Sequence, residues 1–216
     1  MLQGAFEPEQ FSNVMARWLD RQQSWHAARM RFDTSFSEQR HYDINRLIGA
    51  ANMFDILPSS AVPPDADLTD ELKAAKDSSL RIFKRLQPSP EKESVLNALG
   101  RLGKSSLKHK IRHRVQILIA ATGDRFKELP LVTDQAVNCR NHYVHGSDPR
   151  FDYDRNFDAV MFFVNTLEFV FAASDLIEAG WDAQTWIAKP TGMSHPFGAY
   201  RFNYAAHLME LKALIK

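Results

Sequence analysis

The sequence is poor in cysteine, and this scarcity limits the chemistry open to the chain. Cys139 is the single cysteine among 216 residues, so an intrachain disulfide is excluded. Such a composition is typical of a reducing compartment, and we expect a cytoplasmic protein. Cys139 also falls on the face of a predicted helix that we assign to the core. A catalytic thiol is therefore not expected.

The chain also lacks a strong charge of one sign and a recognisable membrane segment. Its formal net charge is +1, so any affinity for nucleic acid would need a local basic patch. Glu7 and Glu9 stand where a signal peptide would need a cationic and then an apolar run. The most apolar stretch, 159–173, is interrupted by Asn165 and Glu168 and is too short to span a bilayer. We interpret it as the central helix of a soluble bundle.

Strand-like alternation of apolar and polar residues is nowhere sustained, which indicates an all-α fold. The apolar periodicity predicts helices at residues 8–32, 37–56, 68–86, 90–102, 105–121, 131–144, 156–179 and 203–215. The Pro- and Ser-rich segment at 58–65 is typical of a linker. We therefore expect an N-terminal helical hairpin at 1–57 that packs on the core, a linker at 58–67 and a helical domain at 68–216.

The most informative motif is Arg140-Asn141 followed by His145, an arginine and a histidine five positions apart at the end of a predicted helix. At about 100° per residue, Val132, Ala136, Cys139 and Tyr143 share one face, which we assign to the core. A second arc of roughly 140° is expected to point away from the core, and it contains Val137, Arg140, Asn141, Val144 and His145.

A second pair in the sequence, Arg21 and His26, has the same spacing. Because it lies in the middle of a predicted helix, we assign it no function.

These side chain types suit the cleavage of a phosphodiester in RNA. A base removes the 2′-hydroxyl proton, the phosphorus becomes a dianionic five-coordinate centre, and an acid protonates the leaving 5′-oxygen. Histidine serves both proton roles near neutrality. The guanidinium of Arg140 matches phosphate oxygens and stabilises the developing charge. Asn141 could orient His145 or bind the phosphate itself.

The Arg140-Asn141-x-x-x-His145 motif, late in an all-helical chain, resembles the HEPN superfamily, and most closely its ApeA-like domains from bacterial anti-phage proteins. The resemblance is sharpest at residues 126–181. It implies a HEPN-like bundle that forms a homodimer, in which two motifs meet at one composite site. It further implies a metal-independent endoribonuclease that leaves a 2′,3′-cyclic phosphate, with Arg140 binding the phosphate, His145 transferring protons and Asn141 in support.

The resemblance leaves a second function open, because similar domains also act as catalytically silent dimerisation or partner-binding scaffolds. For the nuclease, the expected substrate is single-stranded or loop RNA, including tRNA, in an anti-phage or toxin-like system. The resemblance also implies an N-terminal sensor region that precedes such a domain, and it leaves open whether an antitoxin-like partner restrains the domain. No metal or other cofactor is expected.

A second candidate site is the basic run before and within the helix predicted at 105–121. Lys104, Lys108 and Arg112 recur every fourth residue, so the pattern predicts a cationic stripe that holds an RNA backbone, or else a solvated helix face. Gly103-Lys104-Ser105 is similar to the end of a nucleotide-binding P-loop. The first glycine of that pattern is replaced by Ala98, and the preceding segment is predicted as helix rather than strand, so nucleotide hydrolysis is not expected.

Overall fold

The computed structural model describes residue 4 and residues 7–39, 41, 43–190 and 192–215. Within these ranges the secondary structure is helical, without strands, which confirms the predicted all-α class. The α-helices are α1 (Pro8–Asp20), α2 (Gln22–Ser37), α3 (Ile44–Asp55), α4 (Asp70–Lys84), α5 (Pro90–Arg101), α6 (Leu107–Thr122), α7 (Leu129–His145), α8 (Phe157–Glu178), α9 (Ala183–Ala188) and α10 (Pro196–Leu214). Short 3-10 helices lie at Ser59–Ala61 and Gly123–Phe126.

The chain divides into two compact units. The larger comprises residues 1–62 and 107–216, so it contains α1–α3 and α6–α10. The smaller comprises residues 63–106 and is a pair of packed helices, α4 and α5. Thr69 caps α4 by accepting from Leu72 N at 3.3 Å, and Ser89 caps α5 by accepting from Lys92 N at 3.2 Å. The division at residues 57 and 67 expected from the sequence stays a prediction.

Helix α8 is the centre of the larger unit and packs against α2, α3, α6, α7 and α10. By length and composition alone, this 22-residue helix is long and apolar enough to cross a membrane. It extends beyond the apolar stretch 159–173 at both ends, in agreement with the helix predicted at 156–179. Its most apolar window is 72% buried inside the protein, as befits a core helix.

Three acidic residues on α8 fasten the surrounding helices to it. Glu168, 1% exposed, accepts from Arg46 of α3 at 2.7 Å. Asp175 accepts from Arg29 of α2 at 2.9 Å, and Glu178 accepts from Arg114 of α6 at 2.7 Å. Glu168 and Asp175 are buried and each has a cationic partner, so their charges are compensated inside the core, whereas Glu178 holds Arg114 at the edge of the core. We call Asp175, Glu178 and their arginine partners Arg21, Arg29 and Arg114 the arginine clamp.

The clamp explains one error in the predicted helices. The single helix expected at 8–32 is two helices, broken at Arg21, whose Nη2 donates to the Asp175 carbonyl oxygen at 2.6 Å. Arg21 at the break and Arg29 on α2 reach the same carboxylate. Nothing in the local apolar pattern encodes this distant contact.

Two helix starts differ by seven residues from the sequence-based expectation. The helix expected at 37–56 begins only at Ile44, because Asp43 caps it by accepting from Asn45 N at 2.9 Å. Arg40 and Tyr42, inside that expected helix, lie outside the described residues. The terminal helix begins at Pro196 rather than 203, where His195 Nδ1 accepts from Phe197 N at 3.1 Å.

Candidate active site at the end of α7

The ends of α7 place the motif at the surface. Pro130 lies in the first turn, where its missing N–H costs nothing. At the other end Gly146 adopts φ 67° and donates to the His142 carbonyl oxygen at 2.9 Å, which ends the helix. Because this left-handed conformation favours glycine, the stop is fixed directly after His145. The last helical residue is therefore the histidine of the motif.

The helix buries a wider arc than the sequence indicated. Val132, Ala136 and Cys139 are buried as expected, whereas Tyr143 is only half-buried. Val137, which we expected to point away from the core, is 2% exposed, so that expectation was wrong. The reason is that α7 packs against α3 and α6 as well as α8. Arg140 and Asn141 are half-buried, and His145 is exposed.

The three motif residues contact one another. Arg140 Nη1 lies 3.1 Å from Asn141 Oδ1 and 2.9 Å from His145 Nε2. The other terminal nitrogen, Nη2, donates to Asn52 Oδ1 of α3 at 3.1 Å. Sequence reasoning missed Asn52. The available signal was an amide within an otherwise apolar run, since Ala50, Ala51, Met53 and Phe54 are all buried.

The partners of Arg140 are all uncharged. Among the described residues it forms no ion pair with a carboxylate, and its acceptors are two amide oxygens and one imidazole nitrogen. The amides orient the guanidinium without cancelling its charge. One Nη2 hydrogen also has no acceptor among the described residues, because Nη2 carries two and donates one. The site thus holds a fixed, uncompensated cation.

The contact with Arg140 defines the state of the His145 ring. A guanidinium can only donate hydrogen bonds, so Nε2 of His145 accepts and carries no proton in this arrangement. A lone pair on Nε2 is what a general base requires. A phosphate oxygen could replace His145 as the acceptor of the Arg140 hydrogen bond. The lone pair on Nε2 would then be free, next to the bound phosphate.

The two residues between Asn141 and Val144 face the following loop. His142 Nδ1 lies 2.7 Å from the Ser147 carbonyl oxygen, and the Tyr143 hydroxyl donates to Asp154 Oδ1 at 3.0 Å. The His142 ring packs against Tyr143 and Tyr153, with centroids 5.0 and 5.4 Å away. Of His142 and His145, only His145 hydrogen-bonds Arg140.

Cys139 is suited to packing and not to nucleophilic chemistry. Its side chain is fully buried on α7. Burial raises the pKa of the thiol to about 12, and the nearby charge of Asp154 acts in the same direction. Since the thiolate is the nucleophilic form, Cys139 stays unreactive near neutrality, as the sequence indicated.

The three basic residues of the second candidate site do not share one helical face. Lys104 precedes α6 and belongs to the smaller unit, so it lies outside the helix that carries the other two. Its backbone N–H instead closes a turn on the Arg101 carbonyl oxygen at 2.9 Å. Lys108 and Arg112 are on α6, and both reach α7. Lys108 Nζ donates to Asn138 Oδ1 at 2.8 Å, whereas Arg112 forms an ion pair with Asp134.

Comparison with known families decides the affiliation of the chain. The model of the ApeA-like HEPN family matches residues 48–185, more than half of the sequence. The chain belongs to the ApeA-like HEPN family. This confirms the resemblance drawn from the motif, and the all-helical structure agrees with the HEPN fold. The HEPN match runs from α3 to α9, so it includes Asn52, the whole of α7 and the core helix α8.

Membership in the HEPN family gives a general functional assignment. HEPN domains are often ribonucleases, they commonly dimerise and bind RNA, and the family indicates an RNA-related or defence role. No curated protein and no solved structure matches the chain. Any more specific assignment therefore rests on the geometry around Arg140.

Proposed function

We propose that this HEPN protein is a metal-independent endoribonuclease that cuts single-stranded or loop RNA, including tRNA, in an anti-phage or toxin-like role. One observation carries the proposal. Arg140 keeps an uncompensated charge while touching the unprotonated Nε2 of His145 at 2.9 Å. A cation for the phosphate and a base for the 2′-hydroxyl are thus in direct contact.

In the proposed reaction the phosphate displaces His145 from Arg140. The guanidinium binds two oxygens of the phosphate and stabilises the dianionic five-coordinate centre. His145 Nε2 takes the 2′-hydroxyl proton as the 2′-oxygen bonds to phosphorus. The bond from phosphorus to the 5′-oxygen breaks, and an acid gives that oxygen a proton. The products are a 2′,3′-cyclic phosphate and a 5′-hydroxyl.

The need for an acid and a base at once favours a site shared by two copies of the chain. The attacking and leaving oxygens stand on opposite sides of the phosphorus, so a single imidazole does not reach both. In one chain, His142 hydrogen-bonds the Ser147 carbonyl oxygen, and His145 is the histidine at Arg140. In the proposed homodimer each copy contributes Arg140, Asn141 and His145, and the two histidines divide the proton roles.

Unpaired RNA suits such a site better than a duplex. In-line attack requires the 2′-oxygen, the phosphorus and the 5′-oxygen to align, and a flexible backbone reaches that geometry more easily than an A-form helix. The exposure of His145 at the end of α7 also leaves room for a strand to approach. Loops and single strands are therefore the substrates we propose.

The decisive experiment is cleavage of total tRNA and of a labelled single-stranded RNA in excess EDTA. We expect the wild type to produce cyclic-phosphate ends, and Arg140→Ala and His145→Ala to lose about 10²- to 10³-fold in rate. The matched control is His26→Ala, since His26 belongs to the other Arg-x4-His pair and is exposed. Equal cleavage by wild type and His145→Ala, or none by a folded wild-type dimer, would overturn the proposal.

A further inference from the structure

Two cationic side chains, one on α7 and one on the neighbouring helix α6, are held by amides rather than by carboxylates. Arg140 is bracketed by Asn52 and Asn141, and Lys108 donates to Asn138 at 2.8 Å. Neither cation forms an ion pair among the described residues. Arg112 is the contrasting case, because Asp134 on the same helix α7 pairs with it directly.

The difference between an amide and a carboxylate decides what a cation can still bind. An amide oxygen fixes the position of an ammonium or guanidinium but leaves its full charge in place. A carboxylate cancels that charge and competes with any incoming anion. Arg140 and Lys108 are therefore positioned to attract phosphate, whereas the charge of Arg112 is already compensated.

The helix geometry places Asn138, which holds Lys108, on the same side of α7 as Asn141 and His145, the two residues that Arg140 Nη1 contacts. Asn138, Asn141 and His145 are spaced by three and four residues, so their side chains share one side of α7. At 1.5 Å per residue, the Lys108 partner lies about 10 Å along the helix from His145. A bound phosphate at Arg140 would thus have a second cation near the neighbouring part of the same backbone.

We propose that Lys108, held by Asn138, forms a second phosphate subsite, so that the protein grips two phosphates of a single RNA strand. Asn52 and Asn138 are positioning residues in this account, since they act through the cations that they hold. Arg112 contributes nothing as long as Asp134 neutralises it. This inference rests on the proposed function, because it describes how the same site holds RNA.

The test exchanges amides and carboxylates without changing side-chain size, and it adds one variant that removes the Lys108 cation. We measure binding to a fluorescent, single-stranded 2′-O-methyl RNA, which lacks the attacking hydroxyl. Three variants, Asn52→Asp, Asn138→Asp and Lys108→Ala, are compared with Asp134→Asn. Anisotropy titrations over a range of salt concentrations give both the affinity and its salt slope. The control Asn13→Asp adds the same charge on the exposed side of α1. Thermal melts check that each variant is folded.

We expect about tenfold weaker binding at low salt for each of three variants, Asn138→Asp, Lys108→Ala and Asn52→Asp. Each should also reduce the salt slope by about 0.7, which is the value of one phosphate contact on a single strand. Asp134→Asn should bind more tightly by about threefold, because it releases Arg112. Asn13→Asp should match the wild type. A wild-type affinity and slope in Asn138→Asp, or weaker binding by Asp134→Asn, would overturn the subsite.

Failure of the subsite and failure of the nuclease are distinguishable in this design. The 2′-O-methyl RNA reports binding whether or not the protein turns over. Cleavage of ordinary RNA that is equally fast in wild type and Asn138→Asp would overturn the second subsite and leave the nuclease intact. Weaker, less salt-dependent binding by Asn138→Asp without any cleavage by wild type would support the subsite and contradict the nuclease.

Discussion

Two arginine clusters in this protein share a sequence spacing but differ in the partners of the arginine. Arg21 and His26 repeat the Arg-x4-His spacing of Arg140 and His145. Arg21 pairs with Asp175 and Glu178, and His26 Nδ1 lies 3.3 Å from Gln22 Nε2 on the same helix. Within the part of the chain that the structure describes, Arg140 contacts two amides and the motif histidine. The comparison teaches that the partner, and not the spacing, separates a structural arginine from a candidate for catalysis.

The arginine clamp is built to hold helices together. Asp175 is 2% exposed and accepts from Arg21, Arg29 and Trp18. The guanidinium of Arg29 also stacks over the Trp18 ring, with its carbon 3.8 Å from the centroid. Such a network compensates buried charge, and losing Asp175 leaves Arg29 without a carboxylate partner. At the motif, by contrast, the partly exposed Arg140 is compensated by no carboxylate of the described chain.

The largest effect should come from weakening the clamp. Asp175→Asn keeps the shape of the side chain but leaves the buried guanidinium of Arg29 without its anion, so we expect a loss of about 3–5 kcal/mol in unfolding free energy. Urea denaturation followed by circular dichroism measures it. Asp20→Asn, on the exposed side of α1, is the matched control and should change stability by less than about 0.5 kcal/mol. Similar values for the two variants would show that the clamp is not structural.

Substitution of the motif arginine should lower RNA cleavage strongly and stability only slightly. Arg140→Ala removes hydrogen bonds to neutral acceptors at a partly exposed site, so we expect it to cost only about 1 kcal/mol of stability. The same variant should lose about 10²- to 10³-fold in RNA cleavage. Both quantities are measured on one preparation, by urea denaturation and by the cleavage assay. A loss of stability as large as that of Asp175→Asn would place Arg140 with the structural arginines.

A smaller effect is expected where α7 ends. Gly146 adopts φ 67°, and an added side chain would meet no atom within 4 Å, so the only cost of Gly146→Ala is the left-handed backbone. We expect about 1 kcal/mol of lost stability, and slower cleavage if the helix end shifts His145. Gly100→Ala, within helix α5 and also without a neighbour within 4 Å, is the control and should be neutral or slightly stabilising. An equal effect of the two substitutions would argue against a fixed helix stop.

The smallest effect concerns the buried thiol and depends on pH. The pKa of Cys139 is raised by burial from an ordinary value of 9.0 to about 12, so folding favours the protonated form. The resulting contribution to stability is complete below pH 9 and is lost as the pH rises towards 12. Between those values Cys139→Ala should therefore lose less stability than the wild type. Parallel pH profiles of the two proteins, or rapid reaction of the native thiol with a disulfide reagent at pH 8, would contradict this account.

The local features of the site were predictable from the sequence. Pro130 and Gly146 mark the ends of α7, and the apolar period places Val132, Ala136 and Cys139 in the core. These signals act within a few residues, so a sequence reading finds them. The family resemblance also rests on the contiguous motif from Arg140 to His145.

The features that the sequence did not reveal depend on contacts between distant parts of the chain. Asn52 and Arg140 are 88 positions apart, and Arg21 is 154 positions from Asp175. Helical periodicity carries no information on which amide or carboxylate meets which arginine. The break at Arg21, the role of Asn52 and the burial of Val137 all follow from helix packing. The identity of the partner, which separates the two arginine clusters, is thus a property of the tertiary structure.

The most direct test of the central claim gives Arg140 a carboxylate partner, as the arginines of the arginine clamp have. Asn52→Asp places a carboxylate where an amide oxygen now lies 3.1 Å from Arg140 Nη2, with Asn13→Asp as the charge control. We expect RNA cleavage in EDTA to fall at least about tenfold while the protein remains as stable as the wild type or becomes more stable. Undiminished cleavage by a folded Asn52→Asp protein would contradict the claim that the uncompensated charge of Arg140 gives this site its function.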